Sequence, residues 1–434
     1  MTTAGMLPRL TAAFAAAAVA LGQSPPTISS LEPAHDAVDV EPREATRLVI
    51  TFDQDMDPAR HDIAADGTSL PRIVREGWAD ARTYVLHVEV ETDRLYSLTL
   101  SPAGSAGFTT AGGRRLPATL WRFATRGAPL AEGAGVAAGR TLFTALRNDY
   151  AHRDRLGVDW TQLERQHGER FATAGNGASL ALVVADVLAA AQDPQVSVRW
   201  NEHNAPTYAR DVVGNDDDAA IERTFGTPRR LGQAFAVARS KDDIGYLLVE
   251  SFAREHTRAF DQVLQALRGM LDCKGLVLDL RTNAGGDEAL ARRLAAFFVD
   301  GDHVFAQLRP TAGDDSKELR LRGNGPPDTF PGPVAVLQGR LTMGTAEAFL
   351  LMMRKAPRAT TVGERSYGSA GENGAAPLAA GLTIVLPKAK LVRPDGVTFE
   401  GEGLEPHIHV ASAQKPGDAD PVLVEAMQRL RNPR

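Results

Sequence analysis

A single cysteine, Cys273, stands in 434 residues, so no intrachain disulfide holds this fold, and the lone thiol argues against a cysteine-ligated metal. Aromatic residues make up only 6% of the chain. Basic charge is also scarce: the formal net charge is -6 and Lys and Arg form no stripe, which argues against a nucleic-acid partner, since that needs a basic footprint to displace counterions. Beyond the N-terminus no apolar run approaches the roughly 18 to 20 residues of a membrane span. What remains is ordinary: 43% hydrophobic residues and a length suited to two or three domains with real cores.

The N-terminal stretch MTTAGMLPRLTAAFAAAAVALGQSPP has one basic residue, Arg9, an Ala-rich apolar run to Leu21 and small residues at Ala20 and Gly22. This is the outline of a secretory signal peptide over 1–22. The expectation is an exported protein of the periplasm, extracellular space or cell envelope, with no lipid anchor because no cysteine lies near the cleavage region. From 25 to 127 short alternating runs, such as Tyr84, Leu86, Val88 and Val90 against Val85, His87 and Glu89, are separated by Pro, Asp and Gly turns. They predict a small antiparallel β-sandwich. Asp53, Asp55 and Asp57 lack the glycine and terminal glutamate of a calcium loop and read as a hydrated turn. An Ala/Gly-rich linker over 128–139 leads to a helical segment over 140–200, where Asp159 is placed to cap a helix at Trp160. The acidic run GNDDDAA that follows reads as a solvated loop.

From Ala234 to about 411 short apolar runs (IGYLLVESF, GLVLDL, PVAVL, ATTVG, LTIVLP) alternate with helical patterns, as in an α/β sheet with crossover helices. Residues 412–434 read as a tail. Two strand-to-helix turns stand out. VLDLRTNAGGDEAL turns through Asn283, Ala284, Gly285 and Gly286, and glycines there let backbone N–H groups face an oxyanion or a chain terminus. It is no dinucleotide fingerprint, since GxGxxG is absent. LTMGTAEAF offers Gly344 and Thr345 where a hydrolase turn would hold a serine. His407 and His409, spaced by two, could share one face toward a metal but have no visible third ligand. The reading assigns no metal and no cofactor.

In their order and spacing, IGYLLVESF, VLDLRTNAGG, PVAVLQGRLTMGTAEAFLLMM, TTVGERSYGSAG and FEGEGLEPHI resemble the tail-specific, or C-terminal-processing, serine peptidases. LFTALRNDYAHRDRLGVDWTQLERQHGERF is similar to the helical lead-in of their tricorn-core-like branch, and 25–127 resembles a bacterial immunoglobulin-like domain. The resemblance implies a multidomain chain: an all-β immunoglobulin-like sandwich, a small helical subdomain and a crotonase-like α/β peptidase core. Too few residues separate Trp200 from Ala234 for the family's usual PDZ domain. The resemblance assigns the nucleophile to Gly344, three residues before Glu347, and the branch's histidine base to Gln195 in DPQVSVRW. It puts the other branch's lysine at Ser369 and a supporting glutamate at Glu400. Oxyanion stabilisation falls to the Gly285 and Thr345 amides, with Gly286 beside them. The expectation is an exported family member that binds or acts on peptides and protein C-termini with degenerate catalytic positions, partnering an envelope protein through the sandwich. The alternative is an active serine-type endopeptidase using Thr345 as nucleophile, or a displaced serine, Ser366 or Ser369, with His256 as base.

Overall fold

Four consecutive apolar runs dictate the centre of the molecule. In the computed structural model, which describes residues 24–432 apart from 66–69, 103–104, 201–202, 209, 211, 312–315 and 413–418, they become the strands Ile244–Val249, Gly275–Asp279, Val334–Gln338 and Ala359–Gly363. They pair in parallel register in that order, and Ile408–His409 adds a fifth parallel strand. Parallel strands covered on both faces need apolar side chains on both, hence runs rather than alternation. Phe235–Arg239 and Arg229–Arg230 extend the other edge antiparallel, giving a seven-stranded sheet.

The sheet is covered on one face by the helices Thr257–Arg268, Glu288–Ala295 and Thr345–Met353. The last of these is buried from Ala346 through Met353, as expected of a helix that is apolar all round. The other face is covered by Asp218–Phe225 and Pro421–Arg431. Both correct the sequence reading. The acidic run at 214–220 is irregular to Asp217, as read, but helical from Asp218: Asp217 caps the Ala220 N–H of a helix that buries Ile221 and Phe225. Residues 421–431 are not a tail but a helix with Pro421 in its first turn, Asp420 as its cap, and Val422, Leu423, Ala426, Met427 and Leu430 buried.

A second, six-stranded antiparallel sheet was not foreseen. Leu382–Val392 pairs with Ser197–Trp200, Gly371–Pro377 and Asp302–Pro310 along its length, and His203–Pro206 and Lys317–Arg322 form the edges. LTIVLP therefore belongs to this sheet and not to the parallel one. The helical segment is accordingly no separate subdomain. Its helices Ala134–Asn148, Trp160–Thr173 and Gly177–Ala189 share one core with Val196, Val198, Leu382, Ile384 and Leu386. Asp159 does cap Trp160–Thr173, accepting from Thr161 and Gln162. The expected linker over 128–139 is helical from Ala134, its alanines favouring helix once Gly133 opens it.

At the N-terminal end two four-stranded sheets enclose Leu48, Ile50, Tyr84, Leu86, Leu98, Trp121 and Phe123. One pair, Ala37–Val40 with Thr119–Thr125, is parallel. This departs from a purely antiparallel sandwich because the chain changes sheet after Ile28–Glu32. Arg122 ties the β-rich region to the helices by pairing with Asp36 at 2.8 Å and with Asp186, while Asn176 donates to Asp39 at 2.9 Å. The signal-peptide expectation lies outside the described residues. Among those residues no helix is long and apolar enough to cross a membrane.

Candidate functional site

Both noted turns leave the carboxyl ends of adjacent parallel strands, Gly275–Asp279 and Val334–Gln338. Ligand sites of open α/β sheets form at such ends. A surface cavity of about 680 Å³ between Pro331–Ala335 and Gln428–Asn432 lies at the opposite, amino ends of these strands. It is remote from this chemistry and is set aside.

The two turns are stitched together. The Met343 N–H donates to the Asn283 carbonyl at 3.0 Å, and the Thr342 hydroxyl donates to the Leu280 carbonyl at 2.9 Å. Gly344 then takes φ 60°, ψ -126° as the cap of Thr345–Met353. A side chain at such a position is strained, and strained positive-φ turns cluster at functional sites. Here the turn carries no side chain, although there is room for one. A Cβ at Gly344 would have Ala284 O as its nearest neighbour at 3.5 Å, an ordinary contact. Gly285 has φ +95°, and a Cβ on it would lie 2.8 Å from the Thr345 nitrogen, so the two glycine turns meet at the first amide of the helix. The first N–H groups of a helix have no intrahelical acceptor, and the helix dipole makes them anion donors. The expectation for Gly285 needs correction. Its N–H donates to Asn283 Oδ1 at 2.8 Å, and Asn283 is itself held by donating to the Val249 carbonyl. That amide is spoken for, which leaves the Thr345 amide as the anion donor of the expected pair. Gly286 is fixed differently: a Cβ there would fall 2.2 Å from the Phe252 carbonyl carbon, so close backbone packing requires glycine.

The wall facing the helix is built on Glu347. Its carboxylate is fully buried and accepts from Ser366 Oγ (2.6 Å), the Gly368 N–H (2.7 Å) and the Ser369 N–H (2.7 Å). Burial pushes this carboxyl up to about 7 despite those donors. The loop it holds returns the Ser369 carbonyl to the Gly344 N–H at 2.9 Å. The next residue, Ala370, donates to Glu400 Oε2 at 3.0 Å.

Beyond Glu400 lies a buried polar cluster. Asp193 accepts from the Tyr150 hydroxyl (2.9 Å) and from the Gln195 N–H (2.9 Å). His152 Nε2 lies 3.7 Å from Glu400 Oε2. Gln195 Nε2 and His152 Nε2 are both buried without a hydrogen-bond partner. Hydrogen bonds thus connect the Gly344 turn to Ser369 and, through the adjacent Ala370 N–H, to Glu400, whereas Gln195 is bonded to Asp193 in the neighbouring cluster. His152 and Tyr150 were missed. Their only signal was a histidine two residues after a tyrosine in the charged stretch DYAHRDR.

Two of the substitute nucleophiles have their hydroxyls engaged. Thr345 Oγ1 donates to the Gly286 carbonyl at 2.6 Å. Ser366 Oγ donates to Glu347 and accepts from the Leu404 N–H at 2.6 Å. His256 stands at the N-cap position of Thr257–Arg268 and packs its ring edge-on against Phe235. His407 Nδ1 accepts from the Thr361 N–H at 3.1 Å, and among the described residues neither His407 nor His409 belongs to a group of three possible metal ligands. In the acidic N-terminal turn, Asp53 accepts from Thr27, Asp55 pairs with Arg82, and Asp57 accepts from Ala59. Among the described residues one group of three His, Cys, Asp or Glu side chains could hold a metal ion: His152, Asp193 and Glu400.

Residues 243–410 match the model of Peptidase family S41. Among curated proteins the chain is 27% identical to the chloroplastic C-terminal processing peptidase of Tetradesmus obliquus, over 58% of this chain and 53% of that one. It is 25% identical to the carboxy-terminal processing protease CtpB of Bacillus subtilis, over 38% of this chain and 34% of that one. The matched region thus spans about a third to a half of these relatives. Among solved structures, one of a peptidase from Parabacteroides merdae aligns with TM-score 0.60 at 19% identity, covering 68% of this chain and 96% of that one. A Streptococcus agalactiae lipoprotein aligns at 0.50 and 16% identity, covering 70% and 98%. At these identities the structural likeness speaks for the fold alone.

Proposed function

We propose that this chain, whose residues 243–410 match the model of Peptidase family S41, binds peptides or protein C-termini in the cleft at Gly344 without hydrolysing them. One observation carries the reading: Gly344 holds the turn in a positive-φ geometry that would strain any other residue, and it has no side-chain atom that could attack a carbonyl. A nucleophile and its base act as a unit, and losing either costs on the order of 10⁶ in turnover; here Gly344 and Gln195 replace both. The names of the T. obliquus and B. subtilis relatives point to chain ends as the substrate. A carboxylate fits the Thr345 amide at the helix N-terminus, where charge and an orphan donor coincide. In this reading the β-rich region is an immunoglobulin-like module that offers a surface to an envelope partner, and the protein is exported.

The test uses labelled peptides with free or amidated C-termini, followed by anisotropy. Proline is accommodated at the first helical position, so Thr345→Pro deletes the amide donor without breaking the helix. A charge-assisted hydrogen bond is worth about 1.5–3 kcal/mol, so the free-acid peptide should bind roughly tenfold to a hundredfold more weakly to Thr345→Pro and unchanged to Thr345→Val. Equal binding of acid and amide, or turnover of unfolded casein abolished by Thr345→Ala, overturns the reading.

A further inference from the structure

The cluster of His152, Asp193 and Glu400 has no part in peptide binding as proposed above, yet it concentrates three ligand-bearing side chains in the interior. All three residues are buried, and their candidate donor atoms lie within 4.8 Å of one another. They come from segments far apart in sequence. His152 follows the helix Ala134–Asn148, Asp193 lies between Gly177–Ala189 and Ser197–Trp200, and Glu400 follows Leu382–Val392.

Satisfied by protein alone, the cluster is poorly balanced. His152 Nε2 has no hydrogen-bond partner in either role, donor or acceptor, and a buried polar atom left unpaired carries its full desolvation cost. Two carboxyl groups stand beside it, and among the described residues neither has an Arg or Lys within ion-pair distance. The nearby guanidiniums are engaged elsewhere: Arg155 Nη2 donates to the Ala191 and Gln192 carbonyls at 2.8 and 2.7 Å, and Arg210 Nη1 donates to the Tyr367 carbonyl. Burial drives His152 down to about 3 and both carboxyls up, so the site disfavours charge on every member unless a cation compensates.

We propose that His152, Asp193 and Glu400 form a three-ligand site for a divalent cation of the zinc type. One imidazole and two carboxylates suit zinc, which has no geometric preference of its own and takes nitrogen and oxygen at about 2.0–2.2 Å. Around such an ion, tetrahedral ligands sit roughly 3.3–3.5 Å apart; the His152–Glu400 pair at 3.7 Å is already near this. An imidazole among the donors disfavours calcium and magnesium, which take oxygen. Outer contacts of the kind that orient metal ligands are present: the Tyr150 hydroxyl and Gln195 N–H on Asp193, and the Ala370 N–H on Glu400. A cation here would neutralise both carboxylates, occupy the orphan nitrogen and join the lead-in segment to the loop that carries Ser369.

The experiment uses the full chain, stripped with a chelator and titrated with Zn²⁺ or Co²⁺ alone. One equivalent should bind, Co²⁺ should give the visible bands of a four- or five-coordinate site, and the thermal midpoint should rise with Zn²⁺ concentration. His152→Gln and Glu400→Gln should each weaken binding by more than roughly tenfold, whereas His407→Ala should not. Circular dichroism confirms that each variant is folded. Absence of stoichiometric binding to the folded wild type, which needs no variant, overturns the proposal and leaves a proton-sharing cluster. Binding that survives both ligand variants overturns it equally.

Discussion

Restoring a hydroxyl at Gly344 is the sharpest probe of the cleft. A serine there inherits φ 60°, ψ -126°, a conformation that costs a non-glycine residue about 1–3 kcal/mol. Steric cost adds little, because the Cβ would meet Ala284 O at 3.5 Å, Gly285 Cα at 3.7 Å and Ser369 O at 3.8 Å. Against a typical stability of about 5–15 kcal/mol, Gly344→Ser should fold, with a lowered unfolding midpoint. It should still be inert, because Gln195 cannot take the hydroxyl proton near neutral pH. Adding Gln195→His supplies an imidazole two residues after Asp193, in the segment whose side-chain amide is now buried and unpaired. Intact-mass analysis after exposure to a serine-reactive phosphonate separates the cases. Wild type and Gly344→Ser should stay unlabelled at position 344, and the double variant should carry one adduct that maps to Ser at 344. An adduct on wild type between Gly344 and Ser369 refutes the non-hydrolytic reading. A folded double variant that never labels refutes the assignment of Gln195 to the base.

Other consequences concern stability. Arg281 is fully buried between Asp279 and Asp420, each at 2.7 Å, and also donates to the Asn215 carbonyl. Asp420→Ala should therefore cost about 3–5 kcal/mol in denaturant titration, the usual result of stripping one partner from a buried ion pair; a loss below 1 kcal/mol rejects that role. Glu347 is held above its ordinary range, at about 7, so the folded state keeps a proton that the unfolded chain sheds near 4.5. Its contribution is complete below pH 4.5 and is lost as pH rises through about 7, roughly 3 kcal/mol in all. Wild type should lose that much relative to Glu347→Gln between pH 4.5 and 8, and a pH-independent difference contradicts the assignment. Asn176 caps Gly177–Ala189 reciprocally with Ser179 and also bonds Asp39. Asn176→Ala should cost about 1–2 kcal/mol and speed proteolysis near 127–133; unchanged cleavage argues against a coupled β-rich region.

The central sheet was legible because parallel strands buried on both faces must be written as apolar runs, and VAVLQ or GLVLD have no other use for such runs. The second sheet was not. Lys317–Arg322 and Gly371–Pro377 each bury little of their length, so neither shows a run, and their places are set by pairing partners distant in sequence. The C-terminal helix was legible and was missed: Asp420, Pro421 and the spacing of Val422, Leu423, Ala426, Met427 and Leu430 give cap, first turn and stripe. At the site, the family resemblance singled out Gly344, Gln195, Ser369 and Glu400, and the Ser369 carbonyl does meet the Gly344 N–H. The resemblance could not reveal that Asn283 claims the Gly285 amide, nor that His152 swings in beside Glu400. Both depend on how loops fold over the strand ends, and no local pattern encodes that.

Glycine at 344 has a double consequence. The positive-φ turn that strains a serine is free for glycine, so under the proposed reading the residue that offers no attacking atom also relieves the backbone. Relief alone would let the surrounding turn relax to an ordinary helix start. Its shape is instead imposed from outside. The Met343 N–H is held by Asn283, the Gly344 N–H by the Ser369 carbonyl, and the Ser369 loop by a carboxyl whose burial is costly. Burying Glu347 to hold a loop makes physical sense when the loop's position matters, and in the non-hydrolytic reading proposed above that position shapes the cleft beside the Thr345 amide.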